Sequence, residues 1–258
     1  MISIVIPTYK RADYLERLLD SISNQTFKDY EVIVVDDYSP NKEDYEKLVE
    51  RERNKKRFKE FTFLRNDSNK GAPYSRNRGI KQAKYEYIAL VDDDDEWLPN
   101  KLERQLNVFK GSGETLGIVY TWTDAVNNNK QVLHQYRSLT EGNAKKDILK
   151  TCFIPSPSVM VRRSHIIEAG LFDEKLPSCQ DWDMWTRMIL NGSECKVVKS
   201  VETLYYKHDS GSIGLSKKAY LGFIMYFKKH FFSALKNKPI VAVYYIYQYL
   251  RMSLRKEV

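Results

Sequence analysis

Short apolar runs alternate with segments of helical periodicity through the first half of the chain. Buried strands are predicted over Ser3–Ile6, Glu31–Val35, Phe61–Leu64 and Tyr87–Val91, where aliphatic and aromatic residues predominate. Between the first two strands, apolar residues recur at helical spacing over Tyr14–Ile22. The repeated order of strand, helix and strand predicts a parallel sheet that is covered by helices on both faces.

The second half continues this alternation. Further strands are predicted over Ile118–Thr123, Val159–Arg162 and Lys196–Lys207, and a helix that opens with acidic residues is predicted over Asp181–Leu190. Two aromatic-rich helices complete the chain. Right-handed crossovers would place the carboxyl ends of the parallel strands along one edge of the sheet. The loops at that edge hold most of the conspicuous polar residues, so we expect the site there.

Composition limits the class of protein. The chain has 258 residues, of which 42% are hydrophobic and 29% charged, as is typical of a globular protein. Its three cysteines form no CxxC pair, which favours a reducing, cytoplasmic setting. The first apolar run stops at Pro7, so no signal peptide is predicted. No apolar run approaches the ~18–20 residues of a membrane-spanning helix.

The net charge of +8 is concentrated in one segment. Residues 213–258 contain nine lysines and arginines and a single acid, Glu257, so residues 1–212 are neutral. This distribution excludes a general polyanion-binding body, and we expect no nucleic-acid partner. It predicts a local module that is both basic and aromatic.

The predicted strand ends carry two different kinds of loop. A dinucleotide-binding domain would have a GxGxxG motif after the first strand, but this chain has Pro7-Thr8-Tyr9-Lys10-Arg11, so a nicotinamide-dependent enzyme is not expected. The second strand ends at Asp36 and Asp37. Carboxylates there can accept hydrogen bonds from a base or ribose. They can equally stabilise a turn or begin a helix.

Five consecutive acids, Asp92 to Glu96, directly follow the fourth predicted strand. Like charges this close raise one another's pKa and destabilise the fold. A bound divalent cation would offset that repulsion, and carboxylate oxygens suit Mg²⁺ or Mn²⁺. The alternative is a solvated acidic loop.

Four segments, taken together and in this order, carry a family resemblance. They are SIVIPTYKRADYLERLLDSISNQTF, YEVIVVDDYSP, NKGAPYSRNRGIKQAKYEYIALVDDDDEWLPNKL and QDWDMWTRMI. The chain resembles a family 2 glycosyltransferase from about residue 2 to residue 210. The resemblance implies an α/β GT-A fold: a Rossmann-like, mainly parallel central sheet flanked by helices. The helical C-terminal appendage lies outside it.

The resemblance also implies a domain organisation and a reaction. Residues 1–212 would form the catalytic domain, with a nucleotide-binding half at about 1–97 and an acceptor half at about 98–212, and residues 213–258 would form the tail. The reaction would be an inverting transfer of a sugar from a nucleoside diphosphate, with uridine diphosphate the expected carrier. A saccharide or lipid-linked saccharide would be the acceptor, in surface polysaccharide or glycolipid assembly.

Roles follow from the resemblance position by position. Asp92 and Asp94 match the two acids of the family's DxD motif and would bind Mn²⁺ or Mg²⁺. His208 would complete the metal's ligands, although a lone histidine is more often an ordinary residue. The residues expected around the nucleotide are Pro7, Thr8, Tyr9, Arg11, Asp36, Asp37, Gly71, Arg76, Asp92 and Asp93.

Asp181 matches the acid that resembles a general base in the family. Without the resemblance, it would be interpreted as an acid favoured by the dipole at a helix N-terminus. The family usually has Glu before this acid, whereas this chain has Gln180. Gln180 and Trp182 are the expected acceptor-binding residues, and for Trp182 ordinary packing is the alternative.

Two other functions remain compatible with the residues. One is a nucleotidyltransferase of similar fold, although this class usually has a glycine-rich loop after the first strand. The other is an inactive protein that binds sugars or nucleotides. The intact acids at positions 92, 94 and 181 favour the enzyme.

The tail predicts a surface interaction. A helical projection places Tyr220, Phe223, Ile224, Phe227 and Phe231 on one face, which can pack on the catalytic domain. The opposite face combines cations with apolar side chains: Lys217, Lys218, Lys228, Lys229, Leu221, Met225 and Phe232. An anionic membrane surface accounts for both features and would place the protein in the cytoplasm at the inner face of the membrane. A homodimer or simple packing are the alternatives.

Overall fold

The structure is a computed structural model that describes residues 1–207 and 217–254. Its elements in chain order are β1 (Ile2–Thr8), α1 (Ala12–Ser23), β2 (Tyr30–Asp36), α2 (Lys42–Lys55), β3 (Glu60–Arg65), α3 (Ala72–Gln82), β4 (Tyr87–Leu90), β5 (Glu96–Trp97), α4 (Lys101–Lys110), β6 (Leu116–Val126), β7 (Val132–Tyr136), α5 (Lys145–Lys150), β8 (Met160–Arg162), α6 (Arg163–Glu168), α7 (Gln180–Leu190), β9 (Glu194–Tyr206), α8 (Lys217–Asn237) and α9 (Pro239–Leu254).

Within the described residues, nine strands form one sheet in the order β3-β2-β1-β4-β8-β6-β9-β5, with β7 paired to β6. The first four strands are parallel, as predicted. The other half mixes directions, because β8 is antiparallel to both β4 and β6 while β6 and β9 are parallel. The predicted α/β fold is confirmed.

The burial of the parallel strands accounts for their apolar sequences. All seven residues of β1 and all seven of β2 are buried, so these strands are apolar runs and show no alternation. Helix α3 lies very close to β1. A Cβ on Gly79 would stand 2.4 Å from Val5 Cγ1, so only glycine allows this approach. This close packing holds the C-terminal half of α3 against the middle of β1.

The hydrophobic pattern of the sequence did not predict some of the elements. Strand β5 has only two residues, and all five residues of β7 are exposed or half-buried, so neither gives a pattern of its own. Helix α3 begins at Ala72, and Pro73 occupies its first turn, where the missing N–H of proline leaves no hydrogen bond unmade. The other predicted strands and helices agree with the structure to within a few residues.

The C-terminal helices share a core with the rest of the chain. Tyr226, Phe227 and Tyr245 belong to the same hydrophobic cluster as Trp182 and Trp185 of α7. The predicted boundary at residues 212 and 213 falls in a segment outside the described residues, so the division into two domains stays a prediction. No helix within residues 1–207 and 217–254 is long and apolar enough to cross a membrane.

The tail packs somewhat differently from its helical projection. Tyr226 is fully buried, although the projection did not place it on the packing face. Lys229 was predicted on the outer face. Its ammonium instead lies 2.6 Å from Asp173 and 3.0 Å from Asp183 of α7, so this cation attaches the tail to the body.

Candidate active site

The loops after β1 and β4 meet through one buried carboxylate. Thr8 Oγ1 donates to Asp93 Oδ2 at 2.7 Å, and the Tyr9 N–H lies 3.4 Å from the same oxygen. Arg11 reaches Asp93 Oδ1 at 3.4 Å and also pairs with Asp94. The first predicted nucleotide loop therefore lies directly against the acidic segment, as adjacent parallel strands require.

Asp36 is fully buried and already well bonded. One of its oxygens accepts from the Ser39 N–H at 3.1 Å and from Ser39 Oγ at 2.5 Å, and the other pairs with Arg65. These bonds shape the turn after β2, which is the alternative that the sequence left open. Contact between Asp36 and a nucleotide stays a prediction.

Asp37 connects β2 to the start of α3. Its Oδ1 accepts from Asn66 Nδ2 at 2.7 Å and from the Lys70 N–H at 2.9 Å, and its Oδ2 accepts from the Gly71 N–H at 2.7 Å. The carboxylate thus holds the loop that leads into the Arg76 helix. Pro7 is buried inside β1, whereas Tyr9 is exposed beside this loop system.

Arg76 lies at the centre of the predicted site. It is only 7% exposed, and its Nη2 donates to Asp92 Oδ1 at 2.5 Å. Burial lowers the pKa of the guanidinium, but the charges of Asp92 and Asp181 more than offset this and hold the pKa above its ordinary value. The structure therefore brings Asp92, Arg76 and Asp181 into one electrostatic cluster.

Asp181 lies in the first turn of α7 and is half-buried. Its Oδ1 accepts from the Trp182 N–H at 2.8 Å. Burial raises the pKa of this carboxyl, and the charge of Asp92 adds to the rise, whereas Arg76 opposes it. Cys179, the residue before α7, has a φ of 58°, a left-handed backbone conformation that is uncommon for a residue with a side chain. This conformation sets the direction in which α7 begins.

The two predicted acceptor residues have internal partners. Gln180 is half-buried and donates to the Leu176 carbonyl at 2.9 Å. Trp182 is 7% exposed, its Nε1 donates to the Ile148 carbonyl at 2.6 Å, and its ring stacks on Tyr226 at 4.0 Å. The structure gives the Trp182 ring a packing role and leaves little of its surface for a sugar.

Two buried carboxyls of the acidic segment have raised pKa values. Burial, with the charge of Asp94 added, raises the pKa of Asp93 to about 7. Burial and the charges of Asp94 and Asp92 raise the pKa of Asp95 well above its ordinary value. Asp95 Oδ1 accepts from the Tyr206 N–H at 3.2 Å, but in the described part of the chain its buried Oδ2 has no hydrogen-bond partner.

Such a segment fits a divalent cation. Asp92 and Asp94 offer hard carboxylate oxygens, and Arg76 and Arg11 pair with them. Within residues 1–207 and 217–254, no three acidic, histidine or cysteine side chains are grouped closely enough to hold a metal. Mg²⁺ is usually bound by one or two carboxylates together with substrate phosphates, and Asp92 and Asp94 could supply the carboxylates. His208, the predicted third ligand, lies outside the described residues.

Comparison with known proteins identifies the family. The family model for glycosyl transferase family 2 matches residues 3–170, which include the strand-end loops and the acidic segment. The chain belongs to glycosyl transferase family 2.

Relatives of this glycosyltransferase include proteins from archaea and bacteria. An uncharacterized glycosyltransferase of Methanocaldococcus jannaschii is 32% identical over 202 residues, which cover 77% of this chain and 68% of that protein. WcaA of Escherichia coli, a glycosyl transferase named for colanic acid biosynthesis, is 29% identical over 254 residues, which cover 95% of this chain and 88% of that protein.

Solved structures share the fold. TarS from S. aureus in complex with UDP-GlcNAc has a TM-score of 0.75 and 19% identity, with 97% of this chain and 72% of that chain covered. The mannosyltransferase PcManGT from Pyrobaculum calidifontis, in complex with GDP-Man and Mn²⁺, has a TM-score of 0.69 and 18% identity, with 98% and 75% covered. At these identities, the likeness shows the fold alone.

One residue at the site of this glycosyltransferase was not predicted from the sequence. Arg17 of α1 donates to the backbone carbonyl of Asp94 at 2.5 Å, and its guanidinium lies 3.8 Å from the ring centroid of Tyr206. It connects α1, the acidic segment and the end of β9. No local motif marks Arg17, because its partners lie far away in the sequence.

Proposed function

We propose that the protein transfers a sugar, with inversion, from a UDP-sugar to a hydroxyl group of a saccharide or lipid-linked saccharide. The family membership supports glycosyl transfer. TarS, which was solved with UDP-GlcNAc, supports a uridine carrier, and WcaA supports surface polysaccharide or glycolipid assembly as the setting. A cytoplasmic enzyme at the inner face of the membrane, with a GT-A domain at 1–212 and a tail at 213–258, fits this proposal.

One observation carries the proposal: the buried Arg76 lies between the acidic segment and the candidate base. Its guanidinium bonds Asp92 and interacts with the charge of Asp181. Arg76 and Arg11 can also donate to diphosphate oxygens and neutralise the charge that develops on the leaving group. The donor and the attacking hydroxyl would then meet on opposite sides of the sugar's anomeric carbon.

Asp181 would act as the general base. Its carboxylate would accept the proton of the acceptor hydroxyl while the oxygen attacks the face opposite the diphosphate, and this attack inverts the anomeric centre. The raised pKa makes the carboxylate a better proton acceptor than an ordinary aspartate. The burial that raises the pKa also keeps bulk water away from the reacting hydroxyl.

The donor would occupy the edge formed by the loops after β1, β2 and β4. Asp92 and Asp94 would hold Mn²⁺ or Mg²⁺, with His208 as a further ligand. The cation, when bound, would stabilise the leaving diphosphate. Residues that we expect near the nucleotide are Pro7, Thr8, Tyr9, Arg11, Asp36, Asp37, Gly71, Arg76, Asp92 and Asp93. Gln180 and Trp182 would lie on the acceptor side.

Donor hydrolysis tests this proposal. The full chain is incubated with a panel of nucleotide sugars, with and without Mn²⁺, and release of the nucleoside diphosphate is measured. We expect Asp181→Asn to lower turnover by ~10²–10⁴, the usual contribution of a general base, while donor binding in a thermal-shift assay stays unchanged.

Asp147→Asn is the matched control, because Asp147 is an exposed acid in the first turn of α5. This control should keep full activity. An unchanged rate in Asp181→Asn would return Asp181 to the role of a helix-terminal acid, and a loss of donor affinity would assign it to binding. A wild-type protein that binds donors but releases no nucleoside diphosphate would be an inactive binding protein.

A further inference from the structure

The C-terminal helices expose a large amount of apolar surface. Eight large apolar side chains are strongly exposed within 27 residues, and Phe232 and Ile240 reach 77% and 69%. The eight are Leu221, Phe232, Leu235, Ile240, Val243, Tyr244, Ile246 and Tyr247. Exposed apolar groups scattered singly need no explanation, but a concentration of them on two adjacent helices does.

On α8 the exposed residues share one face. Leu221, Lys228, Phe232 and Leu235 are spaced by seven, four and three residues, which places them along one side of a helix. The opposite side is buried and includes Tyr226. The outer side of α8 therefore combines apolar side chains with a lysine.

On α9 the outer side is apolar from Ile240 to Tyr247. Ile240, Val243, Tyr244 and Tyr247 follow helical spacing and are exposed. The residues on the opposite side, including Tyr245, are buried. This part of the helix is thus apolar on both sides, although only one side has a partner among the described residues.

Both helices turn their inner sides toward the same short helix. The Tyr226 hydroxyl lies 3.4 Å from the Ile148 carbonyl, and the Tyr245 hydroxyl donates to the Leu149 carbonyl of α5. Since both inner sides face α5, both outer sides face away from the body. We call these outer sides the outer tail surface: Leu221, Lys228, Phe232, Leu235 and Lys236 of α8, and Ile240, Val243, Tyr244 and Tyr247 of α9.

Charge indicates what covers this surface. Residues 213–258 carry nine basic residues and one acid, whereas residues 1–212 are neutral. Lys228 and Lys236 are exposed on the outer tail surface itself. Apolar side chains with tyrosines among cations are typical of helices that lie in the boundary between lipid headgroups and acyl chains.

A second copy of the chain fits less well. A two-fold interface would place the same surface on both partners, so the cations of one tail would face the cations of the other. The tail's single acid cannot balance them. Like charges in a partly desolvated interface repel, whereas an anionic lipid surface attracts each cation.

We propose that the outer tail surface binds an anionic lipid surface, with the apolar side chains inserted at the headgroup boundary. This surface is separate from the candidate active site, and the proposal does not depend on the identity of the donor or the acceptor. It accounts for both the exposed apolar side chains and the concentration of positive charge.

Vesicle co-sedimentation of the full chain tests the proposal. The vesicles are phosphatidylcholine alone or phosphatidylcholine mixed with phosphatidylglycerol, each at low and high salt. We expect binding to the anionic vesicles that weakens at high salt, by about fivefold for each cation whose attraction is screened. The triple variant Phe232→Gln/Ile240→Gln/Tyr247→Gln should bind at least about tenfold more weakly, because it removes inserted apolar groups.

The control removes the same number of exposed apolar side chains elsewhere. Val132, Leu133 and Leu139 are 51%, 54% and 63% exposed, and changing all three to Gln should leave vesicle binding within about twofold of wild type. Both variants alter exposed side chains, and thermal unfolding should show that both keep the fold. Absence of wild-type binding at low salt would overturn the proposal, as would equal loss in both variants. A stable dimer by light scattering that only the tail variant dissociates, without vesicle binding, would identify self-association instead.

Discussion

Buried acids in two segments of this glycosyltransferase have pKa values that are shifted in opposite directions. In the loop after β4, burial raises the pKa of Asp93 to about 7 and that of Asp95 well above its ordinary value. At the start of α7, Asp183 is also fully buried, yet its pKa is lowered to about 2. Burial alone therefore does not decide the charge of an acid here.

The difference lies in the partners. Asp183 is bonded by His230 at 2.8 Å and paired with Arg187 and Lys229 at 2.8 and 3.0 Å. These hydrogen bonds and charges more than offset the burial that would raise its pKa. An acid with this many donors forms a structural joint, here between α7 and the tail. Asp95 after β4 contrasts with Asp183, because within the described residues it accepts one hydrogen bond, from the Tyr206 N–H, and its buried Oδ2 has no partner.

The largest effect should come from removing a carboxylate of the acidic segment after β4. We expect Asp94→Asn to lower Mn²⁺-dependent turnover by about 10²–10³ without loss of stability, because it removes one of several repelling charges. Turnover and thermal unfolding measure the two effects. Asp20→Asn, which breaks an ion pair with Arg57 on the surface, is the control and should keep full turnover. Normal Mn²⁺-dependent turnover in Asp94→Asn would remove Asp94 from the metal site.

Replacement of Asp183, the well-bonded acid, should have the opposite effect and reduce stability. We expect Asp183→Asn to lower the free energy of unfolding by about 3 kcal/mol, because it leaves buried donors and cations without their partner. Denaturant unfolding measures this loss. Asp173→Asn, which removes a half-buried partner of Lys229, should cost less than about 1 kcal/mol. If Asp183→Asn were as stable as wild type, the proposed joint would not exist.

The smallest effect is a pH dependence of stability. Because the folded-state pKa of Asp183 is lowered to about 2, its contribution of about 2 kcal/mol is fully present above the unfolded-state pKa of about 4. The contribution is lost as the pH falls from about 4 toward 2. Wild type should therefore lose about 1 kcal/mol more than Asp183→Asn between pH 5 and pH 3. Parallel pH profiles of the two proteins would contradict the lowered pKa.

Much of the fold was predictable from the sequence, because it depends on local patterns. A short stretch of sequence is enough to recognise the buried runs of β1 and β2, the helical spacing of α1 and the acids after β4. The order of these segments also carried the resemblance to the family. The convergence of their loops followed from the rule that parallel strands end at one edge.

The tertiary structure decided how each acid is neutralised. Asp181 and Asp183 look alike in the sequence, as two acids that open a helix. Only the fold brings Arg76 and Asp92 near the first and His230 and Lys229 against the second. These partners lie 46 to 105 positions away in the chain, so no local pattern could indicate them.

For the tail too, some features were evident from the sequence and others were decided by the tertiary structure. Its basic and aromatic composition was evident from the sequence, and so was the amphipathic character of its first helix. Which aromatic residues are buried was decided by α5, whose carbonyls receive the Tyr226 and Tyr245 hydroxyls and thereby turn the opposite sides outward. Composition determined that a surface module exists, and packing against a distant helix determined which side of it faces away from the body.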